Sequence, residues 1–412
     1  MRPLFKYSAI AAAIVMASTS AAYADSASSN GGLTVKSDDG RFEATLGGRV
    51  HFDGALLNAD TANQTANNEA SGFYFRRVFI SLNGKAYGWM YKIDDDVSST
   101  TTPAAGFNEV WLGKKFGDNT VYLGQAHPWR SLDELASNNE LVFMERNALS
   151  ANGLFGGRDY TQGVYYKYAS NGLWLGASGY SQTKAGKGTT EGTGGNARVA
   201  YAPINAPGAL LHVGVTYSVD QFDLNATNPG FGSPTAGYST AYSKSGATFN
   251  VFSFAATPAV TSAKVNTATA ELMGIIGPVF LQGEYGTAKY KDDTPGTNPN
   301  NGQTVNAYSA TASWFVTGES RVYKADNASY GTPKPKSVDG AVEVAVRYDN
   351  VKNKDTGAKV DSITLGANYY VNPNVRFMLD YAICKADKTS GLAAGATEAK
   401  PKALMARAQF AF

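Results

Sequence analysis

The spacing between strands constrains this chain more than any single strand does. Sixteen segments alternate with period two, at about 41–58, 72–84, 87–98, 106–116, 119–127, 161–169, 173–182, 194–204, 209–219, 260–274, 278–290, 303–318, 337–350, 361–372, 374–388 and 401–412. Every second connection is tight and rich in Gly, Pro or Asn: Asn83 to Tyr87, "FGDN", "ASNG", "INAPGA", "GIIGP" and "VNPN". The others are long, at 59–71, 99–105, 128–160, 183–193, 220–259, 291–302, 351–360 and 389–400. One gap breaks the rule: 319–336, "ESRVYKADNASYGTPKPK", stands where a tight turn belongs. Strands of about ten residues, even in number, with short turns at one end and long loops at the other, predict a closed antiparallel transmembrane barrel.

The faces of the strands agree. In 42–56, Phe42, Leu46, Val50, Phe52 and Leu56 oppose Glu43, Arg49, His51 and Asp53. Val344, Val346 and Tyr348 oppose Glu343, Arg347 and Asp349, and Val375, Phe377, Leu379 and Tyr381 oppose Arg376 and Asp380. The chain runs to its last residue in the same way, with Leu404, Ala406, Ala408, Phe410 and Phe412 opposite Arg407 and Gln409. A β-sandwich would alternate too. Aromatic residues near strand ends favour a lipid-facing girdle: Phe73, Tyr74, Trp89, Tyr91, Tyr165, Tyr166, Trp174, Tyr369, Tyr370 and Phe412. A closed barrel also requires the last strand to pair with the first.

Export fits this reading. Arg2 and Lys6 precede "YSAIAAAIVMASTSAAYA", which closes on Ala22-Tyr23-Ala24, so residues 1–24 read as a signal peptide. Residues 25–40 follow as an N-terminal periplasmic segment and 41–412 as the barrel domain. Past residue 24 no run of 18 apolar residues occurs, which excludes helical spans. Taking away Arg2 and Lys6 balances basic against acidic residues, which disfavours nucleic-acid binding. The single cysteine, Cys384, excludes a disulfide-stapled domain.

Other chemistry is thinly supported. Asp94 and Asp96 point one way and Asp95 the other, so they do not converge on a metal. His51 and Asp53 share a face, but no serine is tied to them by motif, so neither a catalytic residue nor a cofactor is assigned. "AGKGTTEGTGG" at 185–195 lacks the spacing of a phosphate loop.

Seven stretches stand out together: "FEATLGGRVHFDG", "FYFRRVFISLNGKAYGWMYKIDDDVS", "VYLGQAHPWRSLDELASNNELVFMERN", "WFVTGESRVYKA", "GAVEVAVRYDNV", "SITLGANYYVNPNVRFMLDYA" and "RAQFAF". With them the chain resembles the family of phosphate-selective porins O and P of bacterial outer membranes. The resemblance implies a homotrimeric porin of sixteen strands in the outer membrane, among its lipid and lipopolysaccharide. It implies a third loop, here 128–160, that folds into the lumen and constricts it. It also implies a terminal Phe412 read by the outer-membrane assembly machinery, and small anions such as phosphate among the solutes.

By the same resemblance, Arg49, Arg76, Arg77, Lys92 and Arg146 occupy positions where phosphate-selective members keep basic residues. Alternation points Arg77 inward on the face of Phe75, Phe79 and Ser81, Lys92 inward with Asp94, and Arg76 outward. Arg347 and Arg376 join the expected lumen wall, and Arg130 and Glu134 the eyelet. Arg146 divides evenly between lining the pore and pairing with a carboxylate that pins the loop.

The chain also departs from the family pattern. Glu134 stands where a lysine is expected, Tyr122 and Gln125 where a Lys and an Arg are, and no arginine occurs between Arg198 and Arg321. Since anion selection needs a track of Arg or Lys, a general, weakly selective porin is the alternative. A barrel serving as adhesin or surface antigen is a rival of another class.

Overall fold

The computed structural model describes residues 26–29, 32–58, 60–63, 71–98, 107–150, 155, 160–182, 192–223, 235–239, 248–253, 262–292 and 300–412. The leader read at 1–24 lies outside them. The first half of the barrel is β1 (Phe42–Asn58), β2 (Gly72–Ala86), β3 (Trp89–Asp96), β4 (Phe107–Phe116), β5 (Asn119–Ala126), β6 (Thr161–Ser170), β7 (Leu173–Ser181) and β8 (Gly192–Ala206). The second is β9 (Ala209–Asp223), β10 (Ser262–Ile276), β11 (Val279–Asp292), β12 (Thr304–Phe315), β13 (Ala341–Asn353), β14 (Lys359–Tyr370), β15 (Val375–Asp387) and β16 (Lys402–Ala411). Each pairs antiparallel with the next, and β16 closes on β1 from Lys402↔Asn58 to Ala411↔Arg49.

Turn chemistry sets the tight end. Between β6 and β7, Asn171 and Gly172 both take positive φ (51° and 79°), the primed geometry whose twist matches a two-residue hairpin. At the closure, Gly48 N donates to Phe412 O and Phe412 N to Gly48 O (2.8 and 3.0 Å). A Cβ on Gly48 would stand 2.7 Å from Phe412 Cζ, so that glycine makes room for the terminal ring. Leu33–Lys36 pairs with Glu43–Leu46, continuing the edge of β1 where β16 ends.

The barrel is inverted as the alternation predicts. Leu365, Phe377, Leu379, Leu404 and Phe410 are exposed to the surroundings, whereas Arg376, Asp380, Arg407 and Gln409 are buried inside. Three features differ from the sequence expectation. The girdle splits by period two: Phe73, Trp89, Tyr166, Tyr369 and Phe412 are exposed, but Tyr165 and Tyr370, next to two of them, and Trp174 are buried inside. Secondly, the β1–β2 register slips between His51↔Arg77 and Phe52↔Phe75, so Arg76 is the extra residue of a bulge. The bulge turns Phe75 outward and Arg76 inward, reversing both expectations.

Thirdly, the inner face is not polar throughout. Beside the long-loop end, Val265, Tyr290, Val305, Val351 and Val360 form a buried apolar patch, covered by Phe249, Val251 and Phe252 of the β9–β10 connection. Burial of such side chains contributes about 1.5–3 kcal/mol each, which favours docking this connection inside the barrel.

Candidate solute pathway

Two connections hydrogen-bond to residues on the inward face of the wall. The first is 128–150, between β5 and β6. Ser131 caps a short helix, Leu132–Leu135, and accepts from Glu134 N. The Glu284 carboxylate on β11 accepts the main-chain N–H of Leu132 and Asp133 (3.0 and 3.3 Å) and the Asn147 amide (2.7 Å). Further along, Met144 N donates to Asp380 (2.8 Å) and Ala148 N to Asp349 (3.1 Å).

Arginines secure the same segment. Arg130 donates to both oxygens of Asp220 (2.9 and 2.8 Å), to Ser218 (3.1 Å) and to the Tyr180 hydroxyl. Arg347 donates to Asp349 (2.6 Å) and the Glu145 carbonyl (2.9 Å), and Arg376 to the carbonyls of Val142 and Asn139 (3.3 and 3.4 Å). Arg407 binds both oxygens of Asp53 (2.7 and 2.8 Å) and the Met144 carbonyl (2.8 Å). Glu145 receives Arg76 in a fork (2.7 and 3.0 Å), with Arg77 3.8 Å away. His51 Nε2 meets Asn139 Oδ1 (3.0 Å).

These contacts set the carboxyl groups of the connection apart. Burial raises Glu145, but Arg76 and Arg77 outweigh it and hold the group down at about 2. Glu134 is pushed up by burial, only partly offset by His127. Arg130 is raised: burial opposes its charge, and Asp220 more than restores it.

The second connection is the one whose length broke the turn rule. Val322–Lys324 and Ser329–Gly331 pair as a hairpin. Arg321 holds its base through Glu343 (2.9 and 2.8 Å) and the Glu140 carbonyl (2.8 Å). Its tip meets the wall: Lys167 donates to Asp326 (2.6 Å), Trp174 Nε1 to the Asp326 carbonyl (3.0 Å), and Arg198 to the Ala328 carbonyl (2.8 Å). Tyr330 donates to Asp133 (3.0 Å) and Lys324 pairs with Glu140, so the hairpin and the 128–150 segment touch.

Between these two connections and the wall of β1 and β3–β6 lies a cavity of about 530 Å³. Its basic groups are Arg49, Lys92, Lys115, Arg146, Lys167 and Lys324, and its carboxylates are Asp94, Glu109, Glu134, Glu140 and Asp326. Of the residues singled out in sequence, Arg49, Lys92, Glu134 and Arg146 border it; Arg77, Arg130, Arg347 and Arg376 do not. Arg146 borders the cavity, stands 3.8 Å from the Asp133 carboxylate and donates to the carbonyls of Asp133 and Ala136 and to Asn138. Lys115, Lys167, Lys324, Trp111 and Trp129 were missed. Trp111 and Lys115 fall on the inward face shared with Glu109, so strand parity alone would have found them.

The sequence profile described as Phosphate-selective porin O and P matches residues 44–412. Porin O of Pseudomonas aeruginosa is 29% identical over 92% of this chain and 93% of that protein. Among solved structures, an anion-selective porin from Comamonas acidovorans superposes with a TM-score of 0.58 at 16% identity, covering 90% of this chain and 99% of its own. OmpT of Vibrio cholerae, in its trimer form, gives 0.56 at 12% identity over 90% and 99%. The match along nearly the whole barrel decides the matter: this chain belongs to the phosphate-selective porin O and P family and is an outer-membrane porin for passive diffusion.

Proposed function

We propose that the cavity is the narrow part of the pore and that it passes small hydrophilic solutes with a weak preference for anions. The observation that carries this is the charge on its wall: six basic groups face five carboxylates. Lys115 has no ion-pair partner among the described residues, and Lys92–Glu109 and Lys167–Asp326 are local pairs that cancel at a distance. Such a wall attracts anions without a continuous arginine track, so binding stays weak enough for release. Phosphate enters as one such anion. Burial disfavours the charged form of Glu134.

In this reading 128–150 acts as the constricting loop, and Arg77, Arg130, Arg347 and Arg376 position it. We further infer a homotrimer, embedded among outer-membrane lipid and lipopolysaccharide and delivered by the assembly machinery through Phe412. A leader over 1–24 precedes the mature chain. The role is transport, with no catalytic residue or cofactor. A planar bilayer with a tenfold KCl gradient tests it: the reversal potential is expected on the anion side, with chloride current reduced by millimolar phosphate. A cation-side reversal would refute the anion preference, and absence of conductance the pore itself.

A further inference from the structure

The cavity wall carries a feature that charge alone does not explain. Trp111 on β4 and Tyr122 on β5 lie with ring centroids 4.6 Å apart. Each of the two residues faces a glycine on the other strand. Gly113 is the cross-strand partner of Tyr122, and a Cβ there would stand 2.6 Å from Tyr122 Cδ1. Gly124 is the partner of Trp111, and a Cβ there would stand 3.2 Å from Trp111 Cβ. The missing Cβ at Gly113 leaves room for the Tyr122 ring, and the two side chains pack against each other at an interplanar angle of 38° where both line the cavity. Tyr122 is largely covered, but Trp111 is only half-buried.

Cations flank this pair. Lys92 is the direct cross-strand neighbour of Trp111 on β3. Lys115 projects on the same face of β4, two residues beyond Gly113, exposed and without an ion pair among the described residues. Lys167 Nζ stands 5.8 Å from the Tyr122 ring centroid. A cavity of this volume suits a small organic molecule rather than a bare ion.

We propose that this wall is a subsite for small anions that carry a planar aromatic ring, the ring stacking on Trp111 and the carboxylate drawn to Lys115. The inference rests on the pore reading above and assigns a solute class to it. Flat aromatic pairs favour offset stacking, which a saturated ring of equal size and charge does not supply.

The test uses the mature protein in planar bilayers, with chloride current titrated by benzoate and by cyclohexanecarboxylate. Benzoate is expected to half-block at a concentration about fivefold lower. Trp111→Leu is expected to erase that preference and Trp111→Phe to keep most of it, with folding of both verified by heat-modifiable gel mobility. Lys115→Gln should weaken block by benzoate while leaving block by neutral benzamide in place. Equal block by the two acids, or a preference that survives Trp111→Leu, overturns the subsite and leaves the porin standing. A channel that conducts nothing overturns both.

Discussion

The lumen has two walls that use basic residues for opposite ends. Four of the arginine side chains that hold 128–150 are almost sealed, Arg130 at 1% exposed, Arg321 and Arg407 at 0% and Arg347 at 5%, each facing a carboxylate, while Arg76 and Arg77 beside Glu145 keep 15% and 10%. On the cavity side Arg49 and Arg146 keep 15%, Lys92 28% and Lys324 44%, and only Lys167, paired with Asp326, falls to 6%. A sealed pair forfeits hydration and is stable only while its partner stays in place, whereas a wet pair adds little stability. The sealed wall therefore fixes the loop. The wet wall is the part that the proposed function assigns to passing ions.

The largest test of this contrast removes one sealed partner. Arg130→Met leaves Asp220 buried beside Tyr180 without its cation, which costs about 3–5 kcal/mol. The denaturation midpoint should fall accordingly, and single-channel conductance should rise or become noisy as 128–150 loosens. Asp220→Asn in the same chain should recover part of the loss. An unchanged midpoint would mean that Arg130 is no anchor.

Next comes the wet wall. Glu134→Lys changes the sign of a group bordering the cavity, an effect on the order of 1 kcal/mol for a passing ion. The anion-to-cation permeability ratio should rise about fivefold. Arg347→Gln, on the sealed wall, should lower the midpoint yet move the reversal potential less than half as far. Equal shifts from the two would erase the distinction.

How much of this the sequence disclosed follows from what period two can and cannot encode. Parity places a side chain on one face, so all sixteen strands and the inward aim of Arg49, Arg77, Lys92, Arg347 and Arg376 were legible. What covers the inner face is not in the parity. Arg347 and Arg376 look like Arg49 from the sequence, but they lie beneath 128–150, a contact made across more than 200 residues. Arg76 was misread because a bulge shifts parity by one, and nothing local in "FYFRRVF" marks which residue is extra. The hairpin at 322–331 announced itself only as a gap too long for its place. The Trp111–Gly113 and Tyr122–Gly124 alternation was readable, since aromatic and glycine recur at i, i+2 on neighbouring strands, yet its meaning needed the register.

Acidity separates two carboxyl groups of the same connection. Glu145 is held at about 2, below its ordinary 4.5, so its contribution to stability is present above 4.5 and is lost only as pH falls toward 2. Glu134 is displaced upward, so it takes up its proton first as pH falls, and its protonated form favours the fold. Lowering pH from 7 to 4 should therefore raise the anion-to-cation ratio about two- to threefold while Glu145 keeps its charge. Reversal potentials across that range, with Glu134→Gln as the flat control, measure it. A ratio that falls on acidification, or a slope that persists in Glu134→Gln, assigns the titration elsewhere.

The smallest expected effect probes the balance of the wet wall itself. Lys115→Gln removes one positive charge with no carboxylate left stranded, since Lys115 has no ion pair among the described residues. The midpoint should stay within about 0.5 kcal/mol of the parent, as for surface substitutions generally. The wall then carries five basic groups against five carboxylates, and the anion-to-cation ratio should drop about twofold toward unity. Because a single charge in a wet lumen is screened, the drop should be largest in dilute KCl and fade near 1 M, where the Debye length is about 3 Å. A change that ignores salt would point to pore geometry, and no change in dilute salt would remove Lys115 from the pathway.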